Sequence, residues 1–477
     1  MSVILIRPNT PYTSHSGIVS IQYPINIGYL AAYLKENSVD CFVKDFEVEK
    51  YAELELVDFI KKVNPILIGF SCMTPHIINA AKMAGIVKMN FPDITTVAGG
   101  VHPSAIPEQT LKEFPQFDII AVGEGEETLL ELYQRLDSGK GIDDMAGIAF
   151  KGTQGIKVNP RRPLIDDIDT IPFPDRSQVD INCYKKSHVS RGFSRNFLNI
   201  AEVTISRGCP YNCIFCASKI IHSNRVRFRS LGNITAEIDE LINKYTIQHI
   251  SFLDDTFTIK QEILEPLCAY LKKNKISFDC FTRVNDINEN KIKLMVESGC
   301  KKISFGIESG SQKVLNLLKK GITTDQVRQA FRLCGKYGLS KVEGTFMIGC
   351  HPDESLEDIE LTRRFIFELR PDILGLFIAI PYPGTELNRI LKERKLLKEE
   401  KWNEFVLFFS NPSWKSSKVP NDVLAKKLKD ITYAYYFNPL FMIKSVLKIE
   451  SMGELKYWLA LTISLIKVKL FKRKGLE

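Results

Sequence analysis

The chain has 477 residues, of which 44% are hydrophobic and 25% are charged, and its formal net charge is +8. This composition excludes a disordered or fibrous chain and is typical of a globular protein with two or three domains. The 11 cysteines are too dilute for a disulfide scaffold, and the mild positive charge gives no reason to expect a nucleic-acid partner.

Residues 1–140 contain short apolar strands that alternate with periodic helices, which predicts a parallel sheet with helices on both faces. Ligands on such sheets bind beyond the carboxyl ends of the strands. The predicted strand ends carry small or polar residues, in the loops FSCMT, AGGVHP and VGEGE. No G-x-G-x-x-G pattern follows the first strand, which disfavours a nicotinamide or flavin cofactor.

Residues 141–195 have a weaker pattern and are predicted to connect two domains. The stretch GIAFKGTQGIKV is typical of a hairpin, and RRPLIDDIDTIPFPDR contains too many prolines for a long helix. This region either straps the domains together or is a plain surface linker.

A short loop with the sequence SRGCPYNCIFCAS follows the linker and carries three cysteines. Cys209, Cys213 and Cys216 have the spacing C-x3-C-x2-C, which places three thiolates in one loop. Three thiolates hold three irons of a 4Fe–4S cluster and leave the fourth iron open, whereas a closed structural site has four protein ligands. The alternatives are a zinc site completed by a distant cysteine, or three buried thiols. The other cysteines are scattered singly, which argues against a zinc ribbon.

Residues 196–395 contain six strand–helix repeats, which predicts a partial barrel with two strands fewer than a closed eight-stranded one. Polar residues end its strands: Asp254 and Asp255 the second, Arg283 the third and Glu308 the fourth. Because active sites of such barrels lie at the carboxyl ends of the strands, these residues are candidates for ligand binding.

Residues 396–477 are predicted to be helical, with apolar stretches, interleaved lysines and a last basic cluster at 467–474. We expect a helical cap over the substrate, with a helix lying in a membrane interface as the alternative. No apolar run reaches the roughly 18 residues of a spanning helix. The first residues, MSVILIRPN, lack the features of a signal peptide, and we expect a cytoplasmic protein.

The cysteine loop resembles that of the radical S-adenosylmethionine (SAM) superfamily, in which the open iron binds the amine and carboxylate of SAM. The resemblance places Phe215 beside the adenine of SAM. Asp254 and Asp255 stand where the family has a Gly-Gly-Glu motif that binds the SAM amine, and which aspartate does so stays open. By the same resemblance Glu308 accepts hydrogen bonds from the ribose hydroxyls of SAM, and Arg283 faces the carboxylate or the ribose of SAM. The alternative is that Arg283 and Glu308 simply pair with each other.

The N-terminal domain is similar to the cobalamin-binding domain that precedes many radical SAM barrels. The fold class implied is α/β, with a Rossmann-like cobalamin-binding domain, a partial six-strand TIM-type barrel and a helical C-terminal region. The chain lacks the D-x-H motif whose histidine binds cobalt in other cobalamin proteins, so His102 is interpreted as a loop hydrogen-bonder. The alternative is a vestigial or substrate-recognition domain. The residues assigned to cobalamin by this resemblance are Ser71, Met73, Thr74, Gly99, Gly100, Gly123, Glu124 and Gly125.

The resemblance implies an enzyme that generates a 5′-deoxyadenosyl radical and methylates an unactivated carbon of a small or lipid-like metabolite. One alternative is a cyclisation or rearrangement without methyl transfer, and another is a non-catalytic iron–sulfur protein for redox sensing or electron transfer. A methylthiotransferase is disfavoured, since the N-terminal domain offers only Cys41 and Cys72. The implied partners are an electron donor such as a flavodoxin or ferredoxin and the substrate itself, with peripheral membrane contact through the tail as an alternative.

Overall fold

The computed structural model describes residues 1–10, 21–186, 199–398, 401–405, 413–416 and 418–449, together with 452, 455 and 459. Two α/β units follow each other along the chain, and helices end the described part. The predicted basic cluster at 467–474 lies outside the described residues.

The N-terminal unit is built on a seven-stranded sheet. Its strands are β1 (Ser2–Arg7), β2 (Asp40–Asp45), β3 (Pro65–Ser71), β4 (Thr95–Gly99), β5 (Ile119–Ala121), β6 (Ile148–Gly152) and β7 (Gly155–Val158). The spatial order is β2-β1-β3-β4-β5-β6-β7, with the first five strands parallel and the last two antiparallel. The hairpin predicted in the linker is thus β6–β7, and it extends the sheet of the N-terminal unit.

Helices cover both faces of this sheet, as the sequence predicts. They are α1 (Ile25–Glu36), α2 (Glu53–Val63), α3 (Ile77–Asn90), α4 (Val101–Ala105), α5 (Pro107–Glu113) and α6 (Glu126–Asp137). One apolar core lies under α1 and α6, and the other lies under α2, α3 and α5. The short helices α4 and α5 were not predicted, because prolines interrupt that stretch. The carboxyl ends of β1, β3, β4 and β5 are left open toward the second unit.

The second unit contains six parallel strands, which confirms the predicted partial barrel. They are β8 (Ile200–Val203), β11 (His249–Phe252), β12 (Ser277–Thr282), β13 (Cys300–Glu308), β14 (Lys341–Ile348) and β15 (Ile373–Ile378), paired in this order. The helices of the repeats are α9 (Leu231–Tyr245), α10 (Gln261–Lys273), α11 (Glu289–Glu297), α12 (Gln312–Leu317), α13 (Thr324–Lys336), α14 (Leu356–Leu369) and α15 (Glu386–Glu393). Side-chain caps begin most of them, as at Ser230, Asn288 and Thr323.

A two-stranded antiparallel ladder closes the base of the cysteine-bearing loop. It consists of β9 (Ser206–Arg207) and β10 (Arg227–Phe228), and Arg207 stands directly opposite Arg227. Residues 208–226 between them, here called the cysteine loop, carry the three cysteines and the short helix α8 (Ser218–His222). Helix α7 (Ile181–Lys186) lies earlier, in the segment that joins the two units.

The described part of the tail packs along the barrel. Helices α16 (Asn421–Tyr436) and α17 (Pro439–Leu447) follow α15, and α16 lies against β15. Tyr435 donates to the carbonyl oxygen of Pro371, and Leu424 and Ile431 join the barrel core. In the part of the chain that the structure describes, no helix is both long and apolar enough to cross a bilayer.

Candidate active site

A cavity of about 610 Å³ lies between the sheet edge of the N-terminal unit and the cysteine loop. Its walls contain most of the residues that the sequence assigned to cobalamin, together with one predicted cluster cysteine and two predicted SAM residues. From the N-terminal unit they are Ser71, Met73, Gly99, Gly100, Gly123, Glu124 and Gly125, and from the second unit Cys216, Asp254 and Asp255. Thr74 is buried beside the cavity and its hydroxyl lies 3.2 Å from Nδ1 of His102. The structure therefore brings the predicted cobalamin loops and the cysteine loop to one space.

Two glycines shape the N-terminal wall of this cavity. Gly100 has a φ of +102°, and a Cβ there would lie 2.7 Å from the carbonyl oxygen of Cys72. Gly123 has a φ of +91°, and a Cβ there would meet no protein atom within 4 Å. A side chain at Gly123 would thus occupy cavity space, which is the space that a flat ligand needs above the strand ends.

The cavity also extends below the strand ends, between the sheet and helices α1 and α6. Leu5, Gly69 and Val97 line it from the sheet, and Leu30 and Leu129 line it from the two helices. This apolar part and the space at the strand ends belong to one cavity, so a single ligand can contact both.

His102 makes no contribution to this cavity, as expected for a residue of the loop framework. It is buried, packs edge-on against Trp402 with the ring centroids 4.9 Å apart, and burial lowers its pKa to about 3. A neutral, enclosed imidazole of this kind supports the packing of the AGGVHP loop.

The cysteine loop is held in a turn that surrounds its thiols with N–H donors. Gly208 has a φ of +97°, and a Cβ there would lie 2.3 Å from the carbonyl oxygen of Arg225. The backbone N–H of Ser218 donates to Sγ of Cys216 over 3.5 Å, and Nη1 of Arg283 lies 3.6 Å from Sγ of Cys213. Donors aimed at sulfur fit thiolates that carry the negative charge of an iron–sulfur cluster.

The three cysteines are not arranged as ligands of a single metal ion. Among the described residues, no group of three or more His, Cys, Asp or Glu side chains surrounds a position for a single metal ion. A cubane cluster places each cysteine on a different iron, so its ligands surround a wider space. Three thiols in one loop, with N–H donors directed at two of them, are a donor set that fits such a cluster, and the assignment of Cys209, Cys213 and Cys216 stays a prediction.

The structure separates the two aspartates that the sequence left equivalent. Asp254 is buried and accepts from the backbone N–H of Ile205 and the hydroxyl of Ser206, and burial raises its pKa to about 6. Asp255 is exposed to the cavity, and its carboxylate accepts from Ser218. Asp254 thus fixes the start of the cysteine loop, and Asp255 faces the ligand space.

Phe215, Arg283 and Glu308 gather on another side of the cysteine loop, around a residue that the sequence analysis missed. Nζ of Lys320 donates to Oε1 of Glu308 over 2.8 Å and lies 5.8 Å from the ring centroid of Phe215. Arg283 donates to the backbone oxygen of Lys320 and stacks on Tyr211, 3.6 Å from its ring centroid. The suggestion that Arg283 and Glu308 pair directly is therefore wrong, since Lys320 stands between them.

Glu124, one of the predicted cobalamin residues, has a side chain that already binds several partners. Its carboxylate accepts from both terminal nitrogens of Arg227, at 2.8 and 2.7 Å, and from Arg207 at 3.2 Å. Burial alone would raise the pKa of this carboxyl, but contacts with His222 and with the two arginines hold it well below the usual range. Glu124 lines the cavity with the rest of the VGEGE loop, so its assignment to cobalamin stays a prediction, while its carboxylate binds arginines.

Comparison with known proteins gives a consistent identification. Residues 203–366 match the family model of the Radical SAM superfamily, and residues 18–133 match that of the B12 binding domain. An uncharacterized methyltransferase of Pyrococcus horikoshii is 32% identical over 448 residues, which cover 94% of this chain and 95% of that protein. The anaerobic magnesium-protoporphyrin IX monomethyl ester cyclase of Rubrivivax gelatinosus is 28% identical, covering 93% of this chain and 78% of the relative.

Solved structures show the same fold. The cobalamin-dependent SAM radical enzyme OxsB superposes with a TM-score of 0.75 at 19% identity, covering 98% of this chain and 72% of that one. The radical SAM methyltransferase TsrM of Kitasatospora setae gives 0.68 at 17% identity, covering 83% and 75%. The chain therefore belongs to the radical SAM superfamily, among its members with a B12-binding domain. It is an enzyme whose cofactors are a 4Fe–4S cluster, SAM and cobalamin.

Proposed function

We propose that this enzyme transfers a methyl group to an unactivated carbon of a small or lipid-like metabolite. The observation that carries the proposal is the shared cavity, in which the predicted cobalamin loops face Cys216 and Asp255. The Pyrococcus relative, named as a methyltransferase and aligned over nearly its full length, supports the same reaction class.

The residues of the chain have distinct tasks in this proposal. When bound, the cluster with SAM supplies a 5′-deoxyadenosyl radical and cobalamin supplies the methyl carrier. Asp255 accepts from the SAM ammonium, because its carboxylate faces the cavity while that of Asp254 is occupied. Lys320 holds the carboxylate of Glu308, so that a ribose meets an oriented acceptor. The apolar residues between the sheet and helices α1 and α6 exclude water from the other end of the cavity.

Product mass tests the proposal. The anaerobically reconstituted enzyme is incubated with SAM that carries a deuterated methyl group, a reductant and a fractionated metabolite extract. We expect 5′-deoxyadenosine, S-adenosylhomocysteine and a metabolite that gains the label. A product without the label would exclude methyl transfer, and a variant with Cys209, Cys213 and Cys216 replaced by alanine is the control for chemistry without the cluster.

A cyclisation is the second candidate, favoured by the similarity to the ester cyclase of Rubrivivax. In that case 5′-deoxyadenosine appears while the metabolite gains no deuterium. A non-catalytic iron–sulfur protein would give neither 5′-deoxyadenosine nor S-adenosylhomocysteine.

Enzymes of this superfamily require a reductant, and we infer a flavodoxin or ferredoxin as the donor in a cytoplasmic setting. A peripheral membrane contact is inferred from α17, where Leu440, Ile443, Val446 and Leu447 are exposed. Sedimentation with anionic vesicles tests it: the wild type should pellet with the vesicles, and a variant with glutamates at these four positions should not.

A further inference from the structure

The base of the cysteine loop carries two positive charges in direct opposition. Arg207 and Arg227 face each other in the β9–β10 ladder. Arg207 lies two residues before Cys209, and Arg227 directly follows the last residue of the cysteine loop. Like charges placed directly opposite in a ladder repel each other. Their guanidinium groups are largely buried, with 13% and 2% of the side chains exposed, so solvent screens the repulsion poorly.

The neutralising charges come from the other domain. Glu124 accepts from both arginines, and Glu126 accepts from Nη2 of Arg207 over 2.7 Å. Both glutamates belong to the VGEGE loop and the start of α6, whose glycines line the cavity. The N-terminal domain therefore supplies the negative charges that neutralise the two arginines at the base of the cysteine loop.

Glu124 also joins further segments to this contact. Its Oε2 accepts from the backbone N–H of Ile165 in the connecting segment over 3.1 Å, and its Oε1 lies 3.4 Å from Nδ1 of His222 at the end of α8. Only 6% of its side chain is exposed. One carboxylate thus contacts the connecting segment and both ends of the cysteine loop.

We propose that Glu124, with Glu126, is a positioning residue that fixes the cysteine loop against the VGEGE loop. These contacts would then set the distance and orientation between the cluster site and the cobalamin site. Arg207 adds rigidity, because its guanidinium also stacks on Tyr29 of α1, 5.1 Å from the ring centroid. This positioning role rests on the proposed function, because it requires that the chain binds both the cluster and cobalamin. It holds for any reaction at this site, since it concerns placement and not chemistry.

The test uses the full-length holoenzyme and spectroscopy. Glu124→Gln removes the charge and keeps the shape. Glu127→Gln is the matched control, because Glu127 is 43% exposed and lies 3.8 Å from Arg162. In the reduced, cobalamin-loaded enzyme, electron paramagnetic resonance reports the magnetic interaction between the cluster and cob(II)alamin, which depends on their separation. We expect E124Q to lose at least half of its iron or to broaden and shift this interaction, while E127Q matches the wild type.

A double variant separates positioning from a general loss of stability. In E124Q the two arginines remain without their shared partner, so replacing one of them should relieve the repulsion. We expect E124Q/R227Q to recover much of the iron content and spectrum that E124Q loses, although it lacks one more native contact. Additive losses in the double variant would overturn the proposal, and so would a wild-type spectrum in E124Q.

A replacement variant and a separate activity assay cover two remaining outcomes of the test. If E124Q does not accumulate, E126Q replaces it, since Glu124 then still pairs with both arginines, and a smaller change in the same direction is expected. An E126Q spectrum identical to that of the wild type would then overturn the proposal. The methyl-transfer assay on the wild type stands apart: if it fails while E124Q alters the spectrum, the proposed reaction is wrong and the positioning role holds.

Discussion

Substitution of Gly123 by alanine tests the cobalamin assignment directly. The backbone φ of +91° makes the substitution strained, at a cost of about 1–2 kcal/mol in the free energy of unfolding. Because no protein atom lies within 4 Å of the new Cβ, the methyl group projects into cavity space and competes with a ligand at the strand ends. An overpacked contact of this size costs about 1–3 kcal/mol, which corresponds to about 5- to 150-fold weaker cobalamin binding.

Gly139 provides the matched control. It has a φ of +67°, a Cβ added there would also meet no atom within 4 Å, and it follows α6 away from the cavity. Gly139→Ala should therefore lose similar stability and bind cobalamin like the wild type. The assay is equilibrium dialysis of the apoprotein against hydroxocobalamin, read by absorbance, with thermal unfolding of both variants alongside. Equal cobalamin affinity in G123A and G139A would refute the placement of the corrin ring over Gly123.

The remaining predictions concern three carboxyl groups, of which Glu354 and Asp254 are buried and Asp255 is exposed to the cavity. Burial raises the pKa of Glu354 to about 7, so the folded protein keeps a proton that the unfolded chain releases, and the unfolding free energy falls as the pH rises from about 4.5 to 7. Glu354→Gln keeps an acceptor for the N–H of Cys350 and should be more stable than the wild type at pH 8, by about 3 kcal/mol, with no gain at pH 4; superimposable pH profiles of the unfolding midpoint would contradict this. Asp255→Asn should weaken SAM binding about 10- to 150-fold without lowering the unfolding temperature, because it loses a charge-assisted hydrogen bond to the ligand. Asp254→Asn should change SAM binding less than Asp255→Asn does, because Oδ1 of Asp254 accepts from both Ile205 and Ser206 and an amide oxygen can take its place; isothermal titration of both variants decides whether the two roles are reversed.

The elements of both sheets could be predicted from the sequence because each strand is a short apolar run between turn residues. The strand ends followed from the same pattern, and Ser71, Gly99 and Gly123 do meet at one sheet edge. Parallel strands of one sheet must present their carboxyl ends on the same side, so this convergence needs no knowledge of side-chain contacts.

The partners of the charged residues could not be predicted. Lys319 and Lys320 are adjacent and identical in type, yet Lys319 is 55% exposed and pairs with Glu386, while Lys320 is buried against Glu308. Asp254 and Asp255 differ in the same way. One position along the chain reverses the direction of a side chain, and only the packed neighbours show which of the two points inward.

Buried ion pairs now stand on two sides of the cysteine loop: Lys320 with Glu308 within the barrel, and Glu124 with the two arginines at the interface between the domains. Well-packed apolar residues often match or exceed the stability of such pairs, so their contribution to stability alone is a weak reason for their presence. The contact between Arg227 and Glu124 does fix direction, because a bidentate guanidinium–carboxylate pair tolerates little rotation. Both groups contact the cysteine loop or the strands that flank it: Lys320 lies 5.8 Å from the ring centroid of Phe215, and Glu124 binds Arg207 and Arg227. The geometry of the cysteine loop is then a property of the whole chain, and the barrel alone would leave Arg207 and Arg227 without their acidic partners.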